Sequence, residues 1–589
     1  MPLRFLCGAA TLIELTPPAK HFWPALTRLK DPAEFMTQER NTPAAQRQWL
    51  RHFSLLQTGS LLVSVLIALP ILFIVASLFT PATESWTHIR STVLNTYIVN
   101  TALLMLQVAC YTLIIGVGCA WLTAALSFPG QRFFNWALML PLAAPAYIVA
   151  YVYTDLFEYS GPVQTALRTY FDWQNGDYFF PSIRSLSGAA LVISLVLYPY
   201  VYLLARVAFS QRSATLFDAA RTLGASPYRT FFTVALPAAR AAIVGGVALV
   251  LMETLADFGV VDYFGVPTFS TGIFRTWFAL GDKAAAVKLA AVMFIFVLVL
   301  VALEKSQRGK TSAQAIASDA RFKRIPLSGP KAWLAFLACF LPVTLGFVVP
   351  FSVLSYYAVS VGDPLLGKRF LDFMLNSVQL SSVATMVTTL AALLLAYTVH
   401  KQSSLVTRFS VSIGTLGYAL PGAMLAIGLL TAVSGFDRQL AEFFEQRFGW
   451  RSGLLLTGTT FILIYAYLVR FLTVAFNTTN SGFKHIPPVY DHVAQSLGAK
   501  RPRILRRIYY PLMKRSIATA LILVFVDTMR ELPATLLLRP FNFETLATRV
   551  YRLASDERIA EASTAAIAIV IIGLIPVLFL NKLSEKTQP

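Results

Sequence analysis

The sequence predicts an all-α polytopic membrane protein of about twelve transmembrane helices, arranged as two parallel six-helix repeats. Three observations carry this. Of 589 residues 56% are hydrophobic and 13% charged, where a soluble protein carries roughly 25% charged residues. Runs of about 20 residues nearly free of charge recur along the chain, each long enough to cross about 30 Å of hydrocarbon. The runs form two sets of six with shared landmarks; both sets start on the same side, so an axis along the membrane normal relates them.

The first set falls at about 57–79, 97–126, 134–157, 186–208, 240–262 and 286–303. The second falls at about 332–356, 374–398, 410–434, 452–475, 514–534 and 562–581. Between them "EKSQRGKTSAQAIASDARFKRIPLSGPK" is charged, rich in small residues and without apolar period, which predicts a cytoplasmic linker over 304–331. The six-helix domains are then 57–303 and 332–589. Residues 1–56 are basic and broken by prolines, without the apolar core and cleavage site of a secretory signal, and read as a cytoplasmic N-terminal extension. The landmarks repeat in order: Asn100-Thr101 and Asn376-Ser377 open the second span of each set, and Pro145 matches Pro421 within the third.

The net charge of +20 does not indicate nucleic acid, because Lys and Arg are scattered between spans instead of gathered on one face. With a cytoplasmic N-terminus, the cytoplasmic loops hold about twice the Lys and Arg of the opposite loops, as the positive-inside rule requires. Both termini are then cytoplasmic. Of four cysteines, Cys110, Cys119 and Cys339 lie in apolar spans and Cys7 near the start; neither a disulfide framework nor metal spacing is visible.

Two polar inserts interrupt this plan. "DAARTLGASPYRTFFTVALP" (218–237) and "HVAQSLGAKRPRILRRIYYP" (492–511) share a skeleton in which Gly224 and Gly498 stand 274 positions apart, as do Pro237 and Pro511. Gly224 is placed to end a short helix in the left-handed conformation. Ser226 then caps a new helix with Pro227 in its first turn. In the second copy Gly498 supplies the same turn, but Lys500 and Arg501 replace the Ser-Pro cap. One such insert reads as a simple connector; two at matched positions read as a pair of docking helices, both cytoplasmic.

These residues resemble the cytoplasmic loop signature of permease subunits of binding-protein-dependent ABC importers: Glu-Ala-Ala, three residues, Gly, nine residues, Ile, one residue, Leu-Pro. The first copy supplies Asp218, Ala219, Ala220, Gly224, Val234, Leu236 and Pro237. The second supplies His492, Val493, Ala494, Gly498, Ile508, Tyr510 and Pro511, departing at the opening acid, with Asp491 one residue early. The resemblance covers about 57–585 and implies the type I importer permease fold in a bacterial inner membrane. It also implies coupling helices that dock two copies of an ABC ATPase subunit, and an extracytoplasmic binding protein that delivers substrate. The chain itself has no ATP site: "EKSQRGKTS" places Glu304 where a P-loop needs its first glycine. No cofactor is therefore expected on this chain, and ATP and magnesium belong to the partner subunits.

Polar groups inside a bilayer are expensive and mark pathways or partners. "METLADFG" and "VDTMRELP" align Glu253 with Asp527 and Asp257 with Glu531, so that a continuous helix would put two carboxylates of each half on one face. Four carboxylates near a pseudo-twofold axis suit a hard cation, whose ligands are oxygens; local pairing, for instance with Arg530, is the plainer reading. Tyr147, Tyr151, Tyr198 and Tyr200 are either interfacial anchors or added oxygen ligands. "ETLADFGVVDYFGVPTFSTGIFRTWF" and "RELPATLLLRPFNFETLATRVY" look like the ferric-iron branch of the family, in which both halves are fused, with thiamine permeases as the nearest rival. An ion-gradient carrier has no evident use for paired inserts. A membrane enzyme would need a catalytic constellation that the sequence lacks.

Overall fold

The computed structural model describes residues 55–586 apart from 175–176, 213–221, 225, 309–323, 365–366, 403, 451–452 and 488. The chain divides after Thr58, and the packing below concerns Gly59–Pro589. Its helices are α1 (Leu55–Ala76), α2 (Leu94–Ala125), α3 (Ala146–Phe157), α4 (Leu186–Arg212), α5 (Leu236–Ala256), α6 (Gly259–Tyr263), α7 (Phe269–Phe278) and α8 (Lys283–Arg308). The second half repeats them as α9 (Pro330–Val343), α10 (Lys368–Lys401), α11 (Gly422–Phe448), α12 (Thr460–Lys484), α13 (Val489–Ser496), α14 (Tyr510–Met529), α15 (Pro533–Leu538), α16 (Leu546–Ser555) and α17 (Ile559–Lys586).

Among the described residues nine helices are long and apolar enough to span a membrane, and two bent pairs raise this to eleven. The expected twelfth is α14, whose 20 residues include Lys514, Arg515 and Asp527. It occupies the place of α5 in the second half, and its charge sets it apart from the others. The bends, 89° and 120°, fall at Pro145 and Pro421. Each proline lacks an N–H, and the residue before it, Ala144 or Leu420, is extended.

The repeat is visible in hydrogen bonds as well as in order. Asn100 donates to the Pro267 carbonyl at 3.0 Å, and Asn376 to the Glu544 carbonyl at 3.2 Å. One position on, Thr101 accepts from the Phe269 N–H and Ser377 from the Leu546 N–H. Thr268 with Thr271, and Thr545 with Thr548, form capping boxes that open α7 and α16. A five-residue π-turn precedes α5 (Phe231–Ala235) and another precedes α14 (Leu505–Tyr509).

Packing crosses the repeat boundary. One apolar core joins α2, α3 and α4 with α9, α16 and α17; the other joins α1, α7 and α8 with α10, α11, α12 and α14. Polar side chains fix the crossing helices, as is usual where lipid offers no hydrophobic drive. Ser60 on α1 donates to Thr398, Ser64 donates to the Ser410 carbonyl, and the Tyr465 hydroxyl reaches the Leu66 carbonyl. In mirror fashion, Tyr153 on α3 donates to the Leu345 carbonyl just past α9, and Tyr357 donates to Asp155. A two-residue parallel bridge, Leu126–Ser127 with Ile325–Pro326, ties the end of α2 to the stretch before α9.

Candidate functional site: an ionic cavity and two polar inserts

Broken helices surround a cavity of about 130 Å³ lined by Tyr147, Glu253, Asp257, Asp527, Arg530 and Glu531, among others. Irregular backbone at membrane depth is tolerated where it lines such a space. The four carboxylates named from sequence therefore share one cavity. Their expected placement on one helix face per half does not hold. Helix α5 stops at Ala256, with Asp257 extended, and α14 stops at Met529. Asp257 instead accepts from the Val260 N–H at 3.0 Å and the Val261 N–H at 3.4 Å, opening α6. Glu531 does the same for α15, accepting from the Ala534 N–H at 3.2 Å and the Thr535 N–H at 3.1 Å.

The two halves neutralise their acids differently. Arg530 pairs with Asp527 at 2.5 Å and donates to the Leu142 carbonyl at 2.7 Å. Arg470 on α12 pairs with Glu531 at 2.8 Å. In the first half, Glu253 accepts a hydrogen bond from the Tyr418 hydroxyl at 3.0 Å, and Asp257 has its backbone donors. Two guanidiniums thus face four carboxylates. Arg470 was legible as an arginine inside an apolar run, "YAYLVRFL", a costly placement that signals function or pairing. Gly422, next to Pro421, makes its room: a Cβ there would stand 2.3 Å from Arg470 Nη1 and 2.5 Å from Glu531 Oε1. No three His, Cys, Asp or Glu side chains converge on a metal-ion position among the described residues.

The tyrosines are not interfacial anchors. Tyr147, Tyr151 and Tyr198 are buried, and their hydroxyls have no hydrogen-bond partner among the described residues; Tyr147 and Tyr200 line the cavity.

A second cavity, about 560 Å³, shares Leu142, Tyr200, Tyr418, Asp527 and Arg530 with the first and extends past Glu304 and Asn477. A third, about 1100 Å³, lies beyond α15 and is lined by Arg369, Asp372, Asn376, Arg539, Glu544 and Arg552.

Of the insert residues, Asp218, Ala219 and Ala220 lie outside the described residues. Gly224 and Gly498 have φ of +79° and +75°, the left-handed turn expected of them. Ser226 accepts from the Arg229 N–H at 3.3 Å, capping the helix that Pro227 opens. In the second copy the first turn, Arg501–Ile504, is held by bonds from Arg503 and Ile504 to the Lys500 carbonyl. Pro237 and Pro511 stand second in α5 and α14. His492 lies in α13, and its side chain falls outside the description. Ala494 is buried, while Val489, Tyr490, Val493 and Leu497 are exposed, so α13 turns an apolar face outward. Asp491 anchors it: Lys401 at the end of α10 and the Tyr509 hydroxyl in the π-turn both bond its carboxylate. Burial alone would raise the Asp491 carboxyl, but these two hydrogen bonds and the Lys401 charge hold it below its ordinary value.

Known proteins agree with this architecture. Residues 388–587 match the family described as the inner membrane component of binding-protein-dependent transport systems. The chain is 26% identical over 495 residues to the Fe(3+)-transport system permease protein FbpB 2 of Haemophilus influenzae, covering 83% of this chain and 90% of that one. It is 22% identical over 475 residues to the ferric transport system permease protein FbpB of Actinobacillus pleuropneumoniae, covering 76% of this chain and 65% of that one. A shorter similarity, 31% over 154 residues, links 26% of the chain to 64% of the molybdenum transport system permease protein ModB of Escherichia coli. Over most of its length the chain is thus similar to permeases of binding-protein-dependent transport systems, and its apolar helices are those of a multi-pass membrane protein.

Proposed function

We propose that this permease imports ferric iron across a bacterial inner membrane, with both termini cytoplasmic. The observation that carries the substrate reading is the charge of the central cavity. Four carboxylates against two guanidiniums leave an excess of anionic oxygen, which suits a hard cation and opposes an anionic cargo. The similarity to relatives named for ferric transport, which extends over most of the chain, supports the same reading. Thiamine remains the rival substrate.

In this reading two copies of an ATPase subunit dock on the segments around Asp218–Gly224 and His492–Gly498. The exposed apolar face of α13 and its tie to the π-turn before α14 support a lever role there. ATP and magnesium sit on those subunits and none on this chain. Closure of the ATPases draws the inserts together and opens the cavity outward; hydrolysis resets it, an alternation of access by rigid-body motion. Uptake of labelled ferric iron against labelled thiamine, in a strain deleted for the gene and complemented with it, tests the assignment: iron accumulation that depends on the chain supports it, and thiamine accumulation alone refutes it.

A further inference from the structure

The ionic layer is not symmetric, although the repeat that built it is. In the second half both acids have a guanidinium: Asp527 has Arg530 and Glu531 has Arg470. In the first half neither Glu253 nor Asp257 is in an ion pair among the described residues; a phenol and two backbone N–H groups are their hydrogen-bond donors. The residue aligned with Arg530 at the 274 offset is Ala256, and the one aligned with Gly422 at the offset of the two prolines is Ala146. The Arg530 counterion and the glycine that makes room for the Arg470–Glu531 pair thus have no counterpart at the aligned first-half positions.

A second observation points to the same place. Tyr147 is 5% exposed, lines the cavity with all four carboxylates, and its hydroxyl has no hydrogen-bond partner among the described residues. Burying a hydroxyl unpaired is unfavourable, so an oxygen-seeking group that enters the cavity gains a ligand in it. The backbone is shaped to keep the ring there: a Cβ on Gly259, the first residue of α6, would stand 2.5 Å from Tyr147 Cβ.

We propose that Glu253, Asp257 and the Tyr147 hydroxyl form a transit site for a multiply charged, oxygen-preferring cation, while Arg530 and Arg470 hold the second-half carboxylates out of it. This rests on the reading of the chain as a cation permease and adds which half of the quartet meets the cation. Two carboxylates and a phenol fall short of the closed cage of a storage site, which suits passage: a site that must release its cargo gains nothing from tight coordination. The paired second half supplies fixed negative and positive charge in balance, so its part is to seal the layer.

Two measurements test this. In the complemented deletion strain, Tyr147→Phe and Glu253→Gln should each lower ferric iron uptake at least tenfold at unchanged amounts of chain in the membrane. The control Tyr198→Phe, which removes a buried hydroxyl that does not line the cavity, should stay within about threefold of wild type. Tyr147→Phe removes only an unpartnered hydroxyl, so its folding is not at stake. Independently, the purified full chain in detergent is titrated with terbium(III), a hard trivalent cation whose emission is sensitised by a nearby phenol. Tyr147→Phe should remove at least half of the saturable emission, and Tyr198→Phe should leave it unchanged. Equal terbium emission from wild type and Tyr147→Phe, or a Tyr198→Phe chain that loses as much uptake as Tyr147→Phe, overturns the proposal. A wild-type chain that shows the terbium pattern but takes up no iron would overturn the ferric assignment and leave the site standing.

Discussion

Arg470 and Glu531 meet at 2.8 Å across 61 residues of sequence, in a gap that only a glycine at 422 leaves open. Both side chains are nearly buried, so each is the other's main compensation for leaving water. Removing one partner of such a pair typically costs about 3–5 kcal/mol, whereas replacing both by uncharged groups is far milder. Arg470→Met or Glu531→Gln alone should therefore lower the thermal midpoint of the detergent-purified chain markedly. The double variant should recover most of the loss. Gly422→Ala should behave like a single variant, since its methyl displaces the pair.

The two turn glycines make a second test. A β-branched residue at a φ of +75° or +79° is strained by about 1–2 kcal/mol, too little to unfold a protein of this size. Gly224→Val and Gly498→Val should thus insert normally but misplace the inserts. Purified with the ATPase partner, each variant should keep ATP hydrolysis while transport per ATP falls several-fold. Wild-type coupling in both would remove the inserts from the mechanism.

Acid should loosen α13 late. The folded-state value of Asp491 lies below the ordinary 3.8, so its stabilising bonds to Lys401 and Tyr509 are fully present above that value and are lost as pH falls through the folded one. Hydrogen exchange of the α13 amides should be flat from pH 7 to 5 once corrected for intrinsic rates. Asp491→Asn should raise exchange throughout that range, because the charge that Lys401 meets is gone.

The duplicated hydrogen bonds predict equal penalties. Asn100→Ala and Asn376→Ala each remove one bond from an amide to a carbonyl at matched places, worth about 0.5–1.5 kcal/mol. Their shifts in thermal midpoint should agree with each other and add in the double variant.

Much of this was legible in the chain because it is repetitive. The asparagines at 100 and 376, the prolines at 145 and 421 and the glycines at 224 and 498 recur at nearly one offset, and each pair does one job. The four carboxylates were also legible, as acids in apolar runs. Their geometry was not: a spacing of four suggests one helix face, but Asp257 and Glu531 leave the helix to cap the next one, a local competition between side chain and backbone that periodicity does not display. Arg470 stood in plain view within "YAYLVRFL", yet its partner lies on another helix, and nothing in either segment names the other. Nor did the apolar runs reveal that α1 packs with α10, α11 and α12, since one lipid-facing stretch reads much like the next.

That crossing of helices has a consequence for how the polypeptide holds together. Each half keeps its opening span in the grip of the other, through Ser60 and Thr398 on one side and Tyr153 and the Leu345 carbonyl on the other. The peptide joining the halves is then a tether and not the clasp: cut within 309–323, the two pieces should stay arm in arm and co-purify, as separately made subunits would.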